Sequence, residues 1–130
     1  MKLTKNFSLE EFTKSVTAEK AEIDNTPNAI QISKLKNLCE DILQPLRDAL
    51  GKPITITSGF RCHKLNKLVG GAENSQHKSG EAVDFWCENL EWAFGWIQEH
   101  CEFDQLIWEK GKWIHVSYNR NRKEVLFINK

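Results

Sequence analysis

Two histidines and an aspartate in the second half of this 130-residue chain have the types and the spacing of a metal site. His77 lies seven residues before Asp84, and a turn between them leads into a predicted strand. His115 lies in the alternating segment 113–117, so its side chain points to one defined face of a strand. Two imidazoles and one carboxylate suit Zn²⁺, and three protein ligands leave the fourth tetrahedral position open for water.

The same residues also have an ordinary structural interpretation. A chain with four histidines and many carboxylates offers such combinations by chance. His77 would then be a surface loop residue, and His115 a hydrogen-bonded histidine within a sheet. Spacing alone leaves both interpretations open.

Helix signals dominate the first half of the chain. Ser8 and Glu11 have the spacing of a capping box and predict a short helix. A longer helix is predicted to open at Thr26-Pro27 and to end at Gly51, and Pro45 is predicted either to kink it or to mark a junction.

Strand signals dominate the second half, with two helices between the strands. Because helices come first and strands follow, we expect an α+β domain over residues 1–130. In this domain a mostly antiparallel sheet carries the metal site, and helices cover its other face. The predicted strands are 54–57, 81–86, 104–109, 113–118 and 123–128, and the predicted helices between them are 61–69 and 89–101.

Composition excludes several classes of partner. The chain has 18 basic and 18 acidic residues, so it lacks the basic excess that a nucleic-acid backbone attracts. It has no apolar run of the length that crosses a bilayer, and its first residues lack the apolar stretch of a signal peptide. We therefore expect a protein that needs neither nucleic acid nor a membrane, is made in the cytoplasm and stays there unless another system releases it. We also expect a monomer.

The segment around the first histidine resembles a known family signature. Ser75-x-His77-x-x-Gly80-x-Ala82-x-Asp84 resembles the S-x-H-x-x-G-x-A-x-D signature of the zinc D-Ala-D-Ala metallopeptidases. These enzymes share a fold with hedgehog signalling domains and include carboxypeptidases, dipeptidases and L-Ala-D-Glu endopeptidases. Further segments look like those of the family or of its compact phage and prophage subgroup, namely 6–12, 24–27, 58–61, 65–72 and 113–116.

The resemblance implies roles for individual residues. His77, Asp84 and His115 would bind Zn²⁺, and the substrate would be a peptidoglycan stem peptide. Arg61 would hold the scissile carbonyl or its developing oxyanion, a charge that appears only in the transition state. A surface ion pair is the alternative for Arg61.

Two residues beside the first ligand, Ser75 and Gln76, have a less specific assignment. They flank the predicted metal loop. They would either bind substrate or only shape the turn.

The general base is the point at which the chain departs from the family. Several members have E-x-x-H before the last ligand, but Lys112 occupies that position here, and the nearest acid upstream is Glu109. A three-residue loop over 110–112 would put Glu109 on the face of His115, whereas a two-residue loop would put it on the opposite face. The subgroup resemblance favours Glu109 as the base. The alternative is a solvated turn residue paired with a lysine.

Two functional alternatives follow from this departure. The first is a catalytically inactive, metal-stabilised module that binds the cell wall or a protein, because hedgehog domains show that the fold can serve binding. The second is a structural phage protein that uses the domain to dock on the wall.

Overall fold

The computed structural model describes residues 1–129, and most of the first half of this range is helical. A short hairpin that the sequence did not predict comes first. A π-helical turn at Cys39–Leu43 joins the two longest of the early helices. In chain order the elements are β1 (Lys2–Thr4), β2 (Phe7–Ser8), α1 (Leu9–Thr13), α2 (Val16–Lys20), α3 (Ala29–Leu38) and α4 (Gln44–Leu50).

The predicted ends of these helices are confirmed in part. The Glu11 carboxylate accepts a hydrogen bond from the backbone N–H of Ser8 at 2.8 Å, as a capping box requires. The long helix begins at Ala29, so the prediction that Pro27 opens it is wrong. Asn28 caps the helix instead, because its side chain accepts from the N–H of Gln31 at 2.9 Å.

The junction near Pro45 and the stop at Gly51 both agree with the sequence. Pro45 has no N–H to donate, and the chain widens into the π-helical turn just before it. Gly51 ends α4 in the left-handed conformation, with φ of +69°.

Five strands form one sheet in the order β3-β4-β6-β5-β7. Three of the four strand pairs are antiparallel, as predicted. The pair β5–β7 is parallel, because β6 ends at the edge of the sheet where β5 begins, and the chain passes this end of β5 to start β7 on its far side. The remaining elements are β3 (Ile54–Ser58), α5 (His63–Leu68), a 3₁₀ turn (Gln76–Ser79), β4 (Ala82–Cys87), α6 (Leu90–His100), β5 (Gln105–Glu109), β6 (Trp113–Ser117) and β7 (Glu124–Ile128).

Alternate residues of the central strands separate a core face from a site face. Helices α3, α4 and α6 cover the core face, where their apolar side chains meet those of the strands. On the site face, Asp84 of β4 and Ile107 of β5 lie opposite His115 of β6. The expected α+β architecture, with helices on one face of the sheet, is therefore confirmed. The core face of the strands comprises Val83, Phe85, Leu106, Ile114 and Val116.

None of the helices within residues 1–129 has both the length and the apolar character that a transmembrane span requires.

Candidate metal centre

A short 3₁₀ turn fixes the backbone and the ring of His77. The Ser75 hydroxyl caps this turn by accepting the N–H of His77 at 3.2 Å. The His77 side chain is only 3% exposed, and its Nδ1 lies 2.8 Å from the carbonyl oxygen of Gly59. A carbonyl only accepts, so Nδ1 carries the proton and Nε2 presents its lone pair. This tautomer is the one that a metal ligand needs.

The Gly59 carbonyl is itself held by close backbone packing. A Cβ on Gly59 would lie 2.4 Å from the carbonyl oxygen of Phe12, so only glycine fits here. The next residue, Phe60, donates its N–H to the same Phe12 oxygen at 2.7 Å. The turn after β3 is therefore pinned to the end of α1, and the orientation of His77 depends on that contact.

Asp84 and His115 face each other across the β4–β6 ladder. Asp84 Oδ1 lies 2.9 Å from Nδ1 of His115 and 3.5 Å from Nε2 of His77. One donor atom from each of the three residues lies within 4.8 Å of the others. Zinc bonds of about 2.0–2.2 Å in a tetrahedral arrangement separate ligand atoms by roughly 3.3 Å. The three side chains therefore fit a zinc ion.

The electrostatics of Asp84 favour its ionised form. Burial opposes the charge of this carboxylate, whose side chain is 18% exposed. The contacts with His115 and His77 outweigh that effect and hold the pKa of Asp84 well below its usual range. Asp84 is thus a carboxylate, as a metal ligand must be.

Arg61 follows β3 and lines the same cleft as the three candidate ligands. Within residues 1–129 its guanidinium has no ion-pair partner, and its buried Nε has no hydrogen-bond acceptor. The alternative interpretation of Arg61, a surface ion pair, is therefore absent from the described residues. Burial lowers the pKa of Arg61, and the charge of Asp84 opposes that change. The guanidinium keeps its donors available to a ligand in the cleft.

Glu109 lies at the end of β5, on the site face of the sheet. It pairs with Trp113 across a three-residue loop, and the pair Ile107–His115 continues the same register. Lys110 and Gly111 both have positive φ, 59° and 72°, and the N–H of Lys112 bonds the Glu109 carbonyl at 2.9 Å. Of the two loops that the sequence allowed, the structure has the one that directs Glu109 toward His115.

Comparison with known proteins agrees with this geometry. The family model described as peptidase M15 matches residues 5–117, most of the chain. The chain belongs to the peptidase M15 family. It is also similar to the zinc D-Ala-D-Ala carboxypeptidase of Streptomyces albus G, with 54% identity over 43 residues. That match covers 32% of this chain and 17% of the relative. The family and the name of the relative both support Zn²⁺ as the metal of the three-residue cluster.

The candidate centre of this family member lies in an open cleft with a volume of about 490 Å³. Gln76 is buried on its wall, whereas Ser75 caps the turn, so the structure shows a turn-shaping contact for Ser75. Two arginines that the sequence did not indicate as site residues, Arg120 and Arg122, line the same cleft. Their position directly after the strand of His115 was the available signal.

Arg122 forms an ion pair with a fully buried carboxylate. Asp104 has no exposed surface, and its two carboxylate oxygens accept from Nε and Nη2 of Arg122, each at 2.8 Å. The backbone N–H of Arg122 donates to Oδ1 at 3.1 Å as well. The bonds from Arg122 lower the pKa of Asp104 to about 2 against the cost of burial. The cleft therefore has a second charged centre, and this one is already paired.

Proposed function

We propose that this protein is a zinc metallopeptidase that hydrolyses peptide bonds of peptidoglycan stem peptides. In this proposal His77, Asp84 and His115 bind the ion. The observation that carries it is the convergence of their three donor atoms in a cleft that also contains Arg61 and Glu109. Membership of the peptidase M15 family supports the reaction class, and the name of the Streptomyces relative supports the substrate class.

Glu109 is proposed as the general base. A bound zinc ion would supply Lewis acidity, which polarises a peptide carbonyl and acidifies a water molecule. A Glu109 carboxylate oxygen then accepts the proton of the attacking water and returns it to the amine that leaves. Its place on the site face, opposite Trp113 and two positions along β5 from Ile107, supports this role.

Arg61 is proposed as the group that stabilises the transition state. When water attacks the carbonyl, negative charge develops on its oxygen. The Arg61 guanidinium lines the cleft without an ion-pair partner in residues 1–129, so its N–H groups can donate to that oxygen. Because the bond strengthens as the charge grows, it accelerates the reaction instead of only tightening substrate binding.

The specific bond is the finer part of the proposal. The relative is named a D-Ala-D-Ala carboxypeptidase, and we propose the same activity here: removal of a terminal D-alanine. Cleavage within the stem peptide is the competing outcome. Peptides that end in D-Ala-D-Ala and peptides with an internal L-Ala-γ-D-Glu bond distinguish the two by the fragments released.

The deciding experiment compares the purified wild type with His115→Ala. We expect about one zinc ion per chain and hydrolysis in the wild type, and neither in the variant, because two ligands do not retain a catalytic zinc ion. His100→Ala is the matched control, because His100 is exposed and lies outside the cleft. A wild type that binds no zinc after metal is added would contradict the proposal.

The same samples test the two non-catalytic alternatives. A metal-stabilised binding module would take up zinc but release no fragments from any stem peptide. A docking domain would be retained on purified peptidoglycan with or without a chelator, again with no fragments released. Glu109 and Arg61 in one cleft with the metal cluster favour the enzyme.

A further inference from the structure

Three arginines line the cleft together with the metal cluster, although the chain as a whole balances 18 basic against 18 acidic residues. Among residues 1–129, the charged side chains that line the cleft are Arg61, Arg120, Arg122, Asp84 and Glu109. The buried carboxylates of Asp104 and Glu81 offset the charge of Arg122 and Arg120. A divalent ion at the metal cluster would add two positive charges. An anionic ligand would therefore meet the ion and the guanidinium N–H groups that the buried carboxylates leave unused.

Arg122 is held in one orientation by its contacts. Its Nε and Nη2 donate to the buried Asp104 carboxylate, and its backbone N–H donates there too. Nη2 also donates to Oε1 of Gln76, a buried residue on the cleft wall, at 3.4 Å. These contacts use the Nε hydrogen and both hydrogens of Nη2, and they fix the plane of the guanidinium. A guanidinium fixed before binding loses little freedom when a ligand arrives.

One nitrogen of the Arg122 guanidinium, Nη1, is left for a ligand. The side chain is 51% exposed, and within residues 1–129 no acceptor bonds its Nη1. Arg120, two residues earlier, has one side-chain hydrogen bond among the described residues, in which Nη2 lies 3.4 Å from Oε1 of the buried Glu81. Two guanidinium groups therefore present unused N–H donors to the same cleft as the metal cluster.

We propose that Arg122, assisted by Arg120, binds a carboxylate of the peptide substrate and so determines which bond reaches the metal. The inference rests on the proposed peptidase function. Nη1 of Arg122 can donate charge-assisted hydrogen bonds to one carboxylate oxygen, and Arg120 can donate to the other. Asp104 acts as a positioning residue, because it touches Arg122 and not the substrate. If Arg122 served only to neutralise Asp104, its side chain would not need to line the cleft.

Stem peptides offer this chemistry from two sources. One is the terminal carboxylate beside a D-Ala-D-Ala bond, and the other is the free α-carboxylate of a γ-linked D-glutamate. Recognition of the first selects a carboxypeptidase, and recognition of the second selects internal cleavage. Matched pairs in which each carboxylate is replaced by a carboxamide separate the two sources.

The test measures discrimination between carboxylate and carboxamide on the zinc-loaded protein. The probes are two pairs: acetyl-D-Ala-D-Ala with its C-terminal amide, and acetyl-L-Ala-D-Glu with its γ-carboxyl blocked as a methylamide, compared with the α-amide of the same peptide. Calorimetric titration gives Kd for probes recovered intact, and initial rates give KM for those that are cleaved. We expect the wild type to prefer one of the two carboxylates by roughly 10- to 100-fold, the usual effect of a hydrogen-bonded charge.

The variants separate recognition from folding. Asp104→Asn/Arg122→Gln removes both charges, so no unpaired buried carboxylate remains, and we expect it to lose the preference through Kd or KM while keeping its zinc. Asp104→Asn alone should show an intermediate preference, because Arg122 is present but no longer fixed. Lys36→Ala, which removes an exposed positive charge outside the cleft, should keep the full preference.

Several results would overturn the inference. They are a wild type without preference, a wild type that binds neither member of either pair, and a double variant that discriminates as well as the wild type. Failure of the peptidase proposal looks different. The carboxylate probe would then bind with preference, and lose it in the double variant, but would be recovered intact.

Discussion

Two aspartates contact side chains that line the cleft, and their partners differ in kind. Asp84 is held by two imidazoles, and the three donor atoms lie at separations that suit a bridging ion. Asp104 is fully buried and already has a permanently charged partner in Arg122. Both carboxyl groups have a lowered pKa. A lowered pKa alone therefore does not identify a metal ligand, and the partner decides whether a carboxylate can accept an ion.

The largest expected effect would break this comparison directly. Asp84→Asn keeps the shape of the side chain but removes its charge, so we expect zinc content to fall from about one ion per chain to none and hydrolysis to disappear. Asp104→Asn should keep its zinc. Metal analysis of both variants checks this. Zinc that stays bound to Asp84→Asn would contradict the role of Asp84 as a ligand, and zinc lost from Asp104→Asn would assign that role to Asp104.

The second prediction concerns the chemistry at the metal cluster of His77, Asp84 and His115. Glu109→Gln should lower kcat by roughly 10²- to 10⁴-fold, the usual contribution of a general base, with zinc content unchanged. Glu102→Gln is the control, because Glu102 is an exposed glutamate whose contact is with Lys123. Steady-state kinetics and metal analysis test this together. Equal rates in the wild type and Glu109→Gln would assign the proton transfer to another residue.

The third prediction concerns the other aspartate and the stability that its ion pair with Arg122 contributes. The pKa of Asp104 is about 2 in the folded protein, below its usual value, so the ionised form stabilises the fold. This contribution is complete above about pH 4 and is lost as the pH falls toward 2. After an allowance for the solvent around Arg122, its size is roughly 1–2 kcal/mol in the free energy of unfolding.

Urea unfolding of the wild type and Asp104→Asn measures this contribution. The difference in the free energy of unfolding should be full at pH 7 and should shrink below pH 4. Asp48→Asn replaces an exposed aspartate and should change that energy by no more than about 0.5 kcal/mol. A wild-type advantage over Asp104→Asn that is constant from pH 7 to pH 2 would rule out the ion pair as its origin.

The smallest expected effect tests how the metal loop is held. Ser75→Ala removes the hydroxyl that accepts the N–H of His77, and we expect a loss of about 0.5–1 kcal/mol in the free energy of unfolding. Zinc affinity should weaken only slightly, because the Gly59 carbonyl still orients the ring. Ser33→Ala, on the exposed side of α3, is the control. Loss of zinc in Ser75→Ala would show that the turn, more than the ring contact, holds His77.

Local signals in the sequence predicted most of the elements, because their causes lie within a few residues. The reciprocal cap of Ser8 and Glu11 and the left-handed Gly51 both follow from neighbouring side chains. The start of the long helix was misplaced because Pro27 and Asn28 both suit a helix start, and only the folded chain shows which one caps it. The parallel partner of β7 was not predictable, because alternation identifies a strand but not its neighbour.

The candidate site divides in the same way. His77 and Asp84 belong to the family signature, and His115 lies in a segment that resembles the family, so the resemblance and not the spacing alone grouped the three residues. The side of the sheet that Glu109 faces depends on one residue of loop length, which Gly111 permits in either form. Arg122 and Asp104 are 18 residues apart in the chain, and no local pattern links them.

The strand order has a consequence for how the protein is made. β6 lies at the centre of the sheet, between β4 and β5, although both of them leave the ribosome before it does. Until residue 117 has been synthesised, β4 has an open edge and His115 is absent from the cluster. Pairing over such distances along the chain is slow, because loops must close before contacts form. We therefore expect zinc to bind after the sheet has formed, and not to direct the pairing of the strands during synthesis.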